Sequence, residues 1–186
     1  MLDLCCSWVS HFPEEVERDM DVRGMKKDEN GVGKEEGLEV WGLGMNAAEL
    51  NANPILSHSI LQDLNANPDI PERIGMLDTS LCVVSIDYLT RSVEVLRSLL
   101  ERTRVGGSVH LVVSNRCFPS KVVGRWLRVG EEERLAMVGD FLHFAGWRGV
   151  EVVVVCEGGG GGWFGGGGVD PLWVVRGVKG REGGGV

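Results

Sequence analysis

The sequence has no long apolar run and little positive charge. No uninterrupted apolar segment approaches the roughly 20 residues that a membrane helix needs, and the opening Met1-Leu2-Asp3-Leu4 lacks the basic region of a signal peptide. Lys plus Arg number 19 against 27 Asp plus Glu, a net charge of −8, which has the wrong sign for contacts with phosphate backbones. We therefore expect a soluble, intracellular protein that binds neither membranes nor nucleic acid.

Cysteine pairing is also missing. The five cysteines are an odd number and form no Cys-x-x-Cys pair. This usage predicts neither a disulfide framework nor a metal site, and it indicates a reducing compartment. Cys5 and Cys6 have no histidine or second cysteine at ligand spacing, so apolar packing is a better interpretation of them than a nucleophile or metal ligand.

Two stretches and the tail lack the apolar periodicity of packed elements. Residues 14–37 are rich in acids and turn-forming residues, which predicts an acidic surface insert, with an acidic docking surface as the alternative. Half of the 28 glycines fall between Gly158 and Gly185. We predict a flexible loop at 157–169 and a disordered tail at 180–186, because consecutive glycines bury little surface and lose much entropy on ordering. Residues 1–179, with the insert and the loop included, are predicted to form one domain.

Between these stretches, short apolar runs alternate with helical patterns. Strands are predicted at 38–43, 59–64, 81–86, 108–114, 150–156 and 172–178. Helices are predicted after the N-cap Asn46, over 93–101 with closure at Gly106-Gly107, and over 131–145. Strands separated by helices must cross over, so the alternation predicts an α/β sandwich with a mostly parallel sheet that ends in an antiparallel hairpin.

Acids and small residues follow four of the apolar runs in order. Asp3 lies in the first run and is followed by Cys5-Cys6-Ser7, while Gly44-Met45-Asn46, Asp63 and Asp87 follow the next three. The carboxyl ends of parallel strands meet at one edge of a sheet, which is where such sheets bind ligands. Four polar strand ends in succession therefore predict a ligand site.

This succession resembles the class I S-adenosylmethionine-dependent methyltransferases, especially the small-molecule branch called type 11. The resemblance rests on the segments 2–8, 41–46, 62–65 and 85–89, and on 99–107, which is similar to a leucine-rich helix ending in a Pro-Gly-Gly turn. It implies a Rossmann-like three-layer sandwich with a seven-stranded sheet whose last strand is antiparallel. It also implies S-adenosyl-L-methionine as cofactor and in-line transfer of its methyl group to a small molecule. Such a transfer requires alignment more than a catalytic triad, so no catalytic residue is predicted.

The resemblance implies cofactor contacts from residues at the four strand ends. These are Asp3, Cys5 and Ser7 by the methionine part, Gly44 and Asn46 by the ribose, Asp63 and Leu64 by the adenine, and Ser85 and Asp87 along the inner side. Tyr88 and Asn115 are the expected substrate contacts.

Several of these residues also have a purely structural interpretation. Asp63 and Asn115 are turn residues in that view, and Asp87 caps a helix. A last group of aromatic residues either lines a substrate pocket or packs in the core: Trp126, Phe141, Phe144 and Trp147.

The sequence departs from the family pattern at three places. Cys5 to Ser7 stand where the family has glycines, Gly44 stands where it has an acid that binds both ribose hydroxyls, and Met1 falls within the first strand. The last departure indicates a truncated N-terminus. An inactive relative that serves as a binding or scaffold protein is thus the alternative function. A nicotinamide-dependent oxidoreductase is disfavoured because no Gly-x-Gly-x-x-Gly follows the first strand.

Overall fold

The computed structural model describes residues 1–12, 38–159 and 169–181. The predicted acidic insert, the centre of the Gly-rich loop and most of the predicted tail lie outside these ranges. The described strands form a seven-stranded sheet in the order β3-β2-β1-β4-β5-β7-β6. The chain divides into two compact units, Met1–Gln62 and Asp63–Val186. Within the described ranges, no helix has the length and apolar character needed to cross a membrane.

The first unit holds three parallel strands and one short helix. Its elements are β1 (Leu2–Leu4), β2 (Trp41–Gly44), α1 (Ala47–Ala52) and β3 (His58–Leu61). β2 pairs in parallel with both β1 and β3, and the leucines of β1 are almost fully buried. The predicted N-cap is confirmed, because the Asn46 side chain accepts hydrogen bonds from the backbone N–H groups of Ala48 and Glu49.

The second unit holds the other four strands and two longer helices. Its elements are β4 (Leu77–Val83), α2 (Ser92–Glu101), β5 (Thr103–Ser114), α3 (Glu131–Ala145), β6 (Arg148–Cys156) and β7 (Leu172–Val178). β4 runs parallel to β5, whereas β7 is antiparallel to β5 and to β6. The predicted mostly parallel sheet with a terminal antiparallel hairpin is therefore confirmed.

The core of the second unit lies between its sheet and the helices α2 and α3. Leu96 and Leu99 of α2 and Leu142 of α3 have no exposed surface. They come from the apolar faces that the helical spacing predicted. Trp147, which follows α3, is also buried, and its indole N–H donates to the carbonyl oxygen of Leu96 at 3.0 Å. This contact fixes the end of α3 against α2.

Several predicted boundaries were wrong: the strands expected at 38–43 and 59–64 span Trp41–Gly44 and His58–Leu61. Two further cases have a clear physical reason. The fourth strand spans Leu77–Val83 and not 81–86, because Val84 has a left-handed backbone with φ of 40° that ends the extended run. The helix expected to close at Gly106-Gly107 ends at Glu101, and β5 begins at Thr103. The glycine pair lies inside β5. A Cβ atom on Gly107 would come within 2.7 Å of the Asp78 carbonyl oxygen, so Gly107 permits a close approach of β5 to β4.

Candidate functional site

The acid in β1 is buried and already hydrogen-bonded. Only 3% of Asp3 is exposed, and its Oδ2 accepts a hydrogen bond from Ser10 Oγ at 2.6 Å. Burial raises the pKa of the Asp3 carboxyl, and the hydrogen bond from Ser10 opposes that shift. The sequence placed an acid at this strand end, and the structure gives it a polar partner seven residues along the chain.

A small polar network extends from that pair. Asn53 Nδ2 donates to Ser10 Oγ at 3.0 Å and to the Ser7 carbonyl oxygen at 2.8 Å, and it lies 3.4 Å from Cys6 Sγ. Burial, with the neighbouring Asp3, raises the pKa of the Cys6 thiol to about 12, so this cysteine is not a nucleophile at neutral pH. Asn53 is 43 residues from Ser10, and no sequence pattern indicated the contact.

The turn after β1 has the backbone conformation that glycine adopts easily. Cys5 has φ of 55°, in the left-handed region, and the next backbone N–H, of Cys6, donates to the Leu43 carbonyl oxygen at 2.9 Å. A glycine would adopt this conformation without steric cost. The geometry thus explains how the chain makes a glycine-type turn with cysteine.

The end of β2 has no space for the acid that the resemblance leads one to expect. A Cβ atom on Gly44 would lie 2.2 Å from the Cys6 carbonyl oxygen, so no side chain fits there. Asn46 is exposed, but its side-chain oxygen caps α1 and its Nδ2 donates to Glu49 Oε1 at 2.7 Å. The carboxylate nearest in sequence after this strand end therefore belongs to Glu49.

In the second unit, the residues that follow β3 form a turn. Asp63 is exposed, and its Oδ1 accepts a hydrogen bond from the Asn65 backbone N–H at 2.8 Å. This is the turn role that the structural interpretation predicted. Leu64 is only 3% exposed, so its side chain packs in the core.

Asn65 joins that turn to the segment after β4. Its Nδ2 donates to the Tyr88 carbonyl oxygen at 3.1 Å, and its Oδ1 accepts from the Thr90 backbone N–H at 2.7 Å. One amide side chain thereby holds two of the predicted strand-end segments together. Sequence reasoning placed Asn65 in the motif but gave it no role.

A recess lies where β4 and β5 end. The space between its atoms amounts to about 170 Å³ with open solvent included, but the recess has no room for a whole water molecule. Its lining is mostly apolar with a few polar groups: Val84, Ile86, Asp87, Val112, Val113, Ser114, Arg116 and Trp126.

Asp87 is the acid of this recess, and only 4% of it is exposed. Burial raises the pKa of its carboxyl to about 6, while its own backbone N–H and the nearby Arg134 oppose the shift. A carboxyl group with such a pKa exchanges its proton near neutral pH.

Trp126 brings a buried donor to the same recess. The residue is 1% exposed, and its indole Nε1 has no hydrogen-bond partner among the residues that the structure describes. Arg134 holds the residue in place, because its Nε donates to the Trp126 carbonyl oxygen at 3.0 Å and its guanidinium lies 5.4 Å from the ring centroid. Val84, whose left-handed backbone is strained for a β-branched residue, forms another wall.

The other predicted residues of the second unit, Ser85, Tyr88 and Asn115, are neighbours in sequence of residues that line the recess, but they do not line it themselves. Ser85 Oγ donates to the Val83 carbonyl oxygen at 2.8 Å, and the Tyr88 hydroxyl accepts from the Phe118 backbone N–H at 3.3 Å. Asn115 is exposed, whereas its neighbours Ser114 and Arg116 line the recess.

Solved structures that share this fold include S-adenosylmethionine-dependent methyltransferases. A SAM-dependent methyltransferase from Archaeoglobus fulgidus superposes with a TM-score of 0.58 at 12% identity, over 96% of this chain and 85% of the other. The fold is that of the S-adenosylmethionine-dependent methyltransferases. A SAM-dependent methyltransferase from Aquifex aeolicus superposes with a TM-score of 0.55 at 15% identity, over 95% of this chain and 79% of the other. The S-adenosylmethionine-dependent methyltransferase SibL, in its apo form, superposes with a TM-score of 0.53 at 14% identity, over 97% of this chain and 50% of the other.

At 12–15% identity, these likenesses show the fold of the chain. The chain spans half the length of SibL. No protein-family model and no curated protein sequence matches the chain. The assignment to the type 11 branch stays a prediction.

Proposed function

We propose that the chain is an S-adenosylmethionine-dependent methyltransferase that acts on a small molecule. The observation that supports this most directly is the strand order, in which antiparallel β7 lies between β5 and β6, together with the solved methyltransferases that share the fold. When bound, the cofactor supplies an electrophilic methyl group on a sulfonium. What the protein must add is alignment and a suitable acceptor site.

Three features of the chain fit a bound cofactor. The left-handed turn at Cys5 presents backbone at the end of β1, as a close approach to a ligand requires. Asp63 is exposed, and its turn with Asn65 uses only Oδ1 in the hydrogen bond. The carboxylate can therefore accept a hydrogen bond from an adenine amino group as well. In the second unit, Ser85 and Asp87 follow β4 within four residues of its end.

The ribose contact is the part that differs from the family pattern. Since no side chain fits at Gly44, we assign the carboxylate role to Glu49, which the Asn46 amide holds at 2.7 Å. An acid that binds both ribose hydroxyls forms charge-assisted hydrogen bonds, which are roughly twice as strong as neutral ones. Glu49→Gln should therefore weaken binding of S-adenosylmethionine more than Asn46→Ser does.

A catalytically inactive scaffold is the second candidate, and Gly44 is the observation that favours it. A chain that cannot carry an acid at the end of β2 has lost one conventional cofactor contact. The two candidates differ in one measurable property, because only the enzyme must bind S-adenosylmethionine.

Calorimetry with S-adenosylmethionine tests the proposal. We expect a dissociation constant in the micromolar range, and at least a threefold weaker value for Asp63→Asn, which keeps the turn oxygen but removes the charge. Asp140→Asn is the matched control, since this exposed acid lies on α3 and has no assigned role. An absence of heat with a folded chain would overturn the enzyme in favour of the scaffold.

A further inference from the structure

The outer edge of β6 is apolar and has no partner among the described strands. β6 is the last strand of the sheet and, within the described ranges, pairs only with β7. Its four consecutive valines at 152–155 are each between 39% and 57% exposed. Natural proteins usually block a free edge with lysine, proline or a covering loop, since its unpaired backbone groups bind other strands. β6 contains neither lysine nor proline, so its edge is open to pairing.

The hydrogen bonds of β7 reveal which backbone groups of β6 face that edge. The Lys179 N–H, just after β7, donates to the Gly107 carbonyl oxygen at 2.8 Å, so Lys179 faces β5. Successive residues of an antiparallel strand direct their N–H and C=O groups to opposite neighbours. The register between β5 and β7 has no shift, so Val174 and Arg176 face β6. Every second residue of β6 therefore bonds to β7.

Two valines of β6 direct their backbone groups outward. Glu151 and Val153 lie opposite the two residues of β7 that face β6, so they make the bonds to β7. Val152 and Val154 alternate with them, and their N–H and C=O groups point to the free edge. The edge thus offers two donors and two acceptors within an apolar stretch. Glu151 is further held in the sheet, because its Oε1 accepts from Arg176 Nε at 2.6 Å.

We propose that two copies of the chain pair through β6, antiparallel and about a two-fold axis at Val153. Val152 of each copy then lies opposite Val154 of the other, and these two pairs form four backbone hydrogen bonds. Val153 meets its own counterpart, where side chains in an antiparallel pair come closest. A two-fold contact uses the same edge on both copies, so the assembly closes at two.

Charge and regularity favour this register over its neighbours. A centre at Val154 would place Glu151 opposite Glu157 of the second copy, and like charges directly opposite destabilise a strand pair. A centre at Val152 would set Val154 against Val150, which lies where the β6–β7 register is irregular. The centre between these two positions avoids both problems.

The size of the contact predicts a weak dimer. The exposed parts of the four valines offer a few hundred Å² per copy, less than the roughly 800 Å² per partner of a standard interface. Each copy also has a net charge of −8, which opposes association until salt screens it. We therefore expect a dissociation constant on the order of tens of micromolar that becomes lower as salt is raised.

Sedimentation velocity of the full chain tests the association. Between about 1 μM and a few hundred μM, the chain should change from monomer to dimer. Val154→Lys should weaken the dimer at least about tenfold, because lysines of the two copies then lie diagonally across the paired strands. Val105→Lys is the matched control and should leave the association unchanged. Val105 is 56% exposed, close to the 53% of Val154, but it belongs to the interior strand β5.

Amide hydrogen exchange of the unaltered chain locates the contact and does not depend on any variant folding. At low concentration the amides of Val152 and Val154 should exchange freely, whereas that of Val153, bonded to β7, should be protected. At high concentration the first two should become protected as well, in proportion to the dimer that sedimentation measures.

Each other outcome overturns the inference. A chain that stays monomeric up to a few hundred micromolar has no such contact. A dimer in which the amides of Val152 and Val154 still exchange freely uses another surface, and assemblies that keep growing with concentration lack two-fold closure. The inference does not rest on the proposed function, and calorimetry with S-adenosylmethionine leaves it unaffected in either direction.

Discussion

Trp126 and Trp147 are each 1% exposed, yet within the described part of the chain only the indole N–H of Trp147 has a hydrogen-bond partner. Both residues belong to the second unit, and both are packed as core residues. The difference separates a tryptophan that stabilises the fold from one that holds an unused donor beside a recess. It also provides a matched pair for mutagenesis.

Replacing each tryptophan by phenylalanine should give unequal losses of stability. Both changes remove similar apolar surface, but Trp147→Phe also removes the hydrogen bond to Leu96, whereas Trp126→Phe removes a donor that has no partner. We expect Trp147→Phe to lower the free energy of unfolding by about 1–3 kcal/mol more than Trp126→Phe. Urea unfolding of the two variants measures the difference, and equal values would mean that Trp126 has a partner in solution.

Asp87→Asn should stabilise the protein at neutral pH. The folded-state pKa of Asp87 is raised from 3.8 to about 6, so the folded protein holds this proton more tightly than the unfolded chain does. The contribution of Asp87 to stability is therefore highest below about pH 4 and falls as the pH rises through about 6. The asparagine variant lacks this loss, which is on the order of 2–3 kcal/mol.

The pH dependence provides the control for that prediction. Denaturant melts at acidic and neutral pH should show the gain of Asp87→Asn at neutral pH only. A gain of the same size at every pH would show that the titration of Asp87 is not its cause. If Asp87 contacts S-adenosylmethionine, as proposed, the same variant should bind it more weakly while it gains stability.

Val84→Asn should also stabilise the fold. Val84 is a β-branched residue with φ of 40° and 39% exposure, so little burial is lost on replacement. Asparagine tolerates the left-handed region, where other residues lose about 1–2 kcal/mol each. We expect a rise of about 1 kcal/mol in the free energy of unfolding, followed by chemical denaturation. A loss of stability would mean that apolar packing by Val84 outweighs its backbone strain.

Gly44→Ala should destabilise the first unit. The added Cβ would lie 2.2 Å from the Cys6 carbonyl oxygen, and a backbone atom cannot move aside cheaply. Overpacking of this kind costs about 1–3 kcal/mol. Gly130→Ala is the control, since nothing lies within 4 Å of a Cβ there. Thermal melts that do not distinguish the two variants would contradict the close contact between the turn after β1 and the end of β2.

Most of the architecture follows from local patterns. α3 (Glu131–Ala145) and β7 (Leu172–Val178) coincide with their predicted bounds residue for residue, because apolar spacing and flanking turn residues act over short distances. The helix that ends at Glu101 was misjudged because Gly106-Gly107 has the composition of a helix end but serves a strand contact. A glycine pair does not reveal by itself which of these needs it meets.

In the candidate site, too, some features follow from local sequence and others from tertiary contacts. The sequence by itself determined which strand ends carry Asp3, Asp63 and Asp87, since a strand and the residue after it are neighbours along the chain. Only the tertiary structure decided that Ser10 and Asn53 surround Asp3, that Asn65 joins Tyr88, and that Trp126 faces a recess with no partner. Those facts depend on contacts between distant segments, and whether a buried polar atom is satisfied is settled by packing that no local pattern encodes.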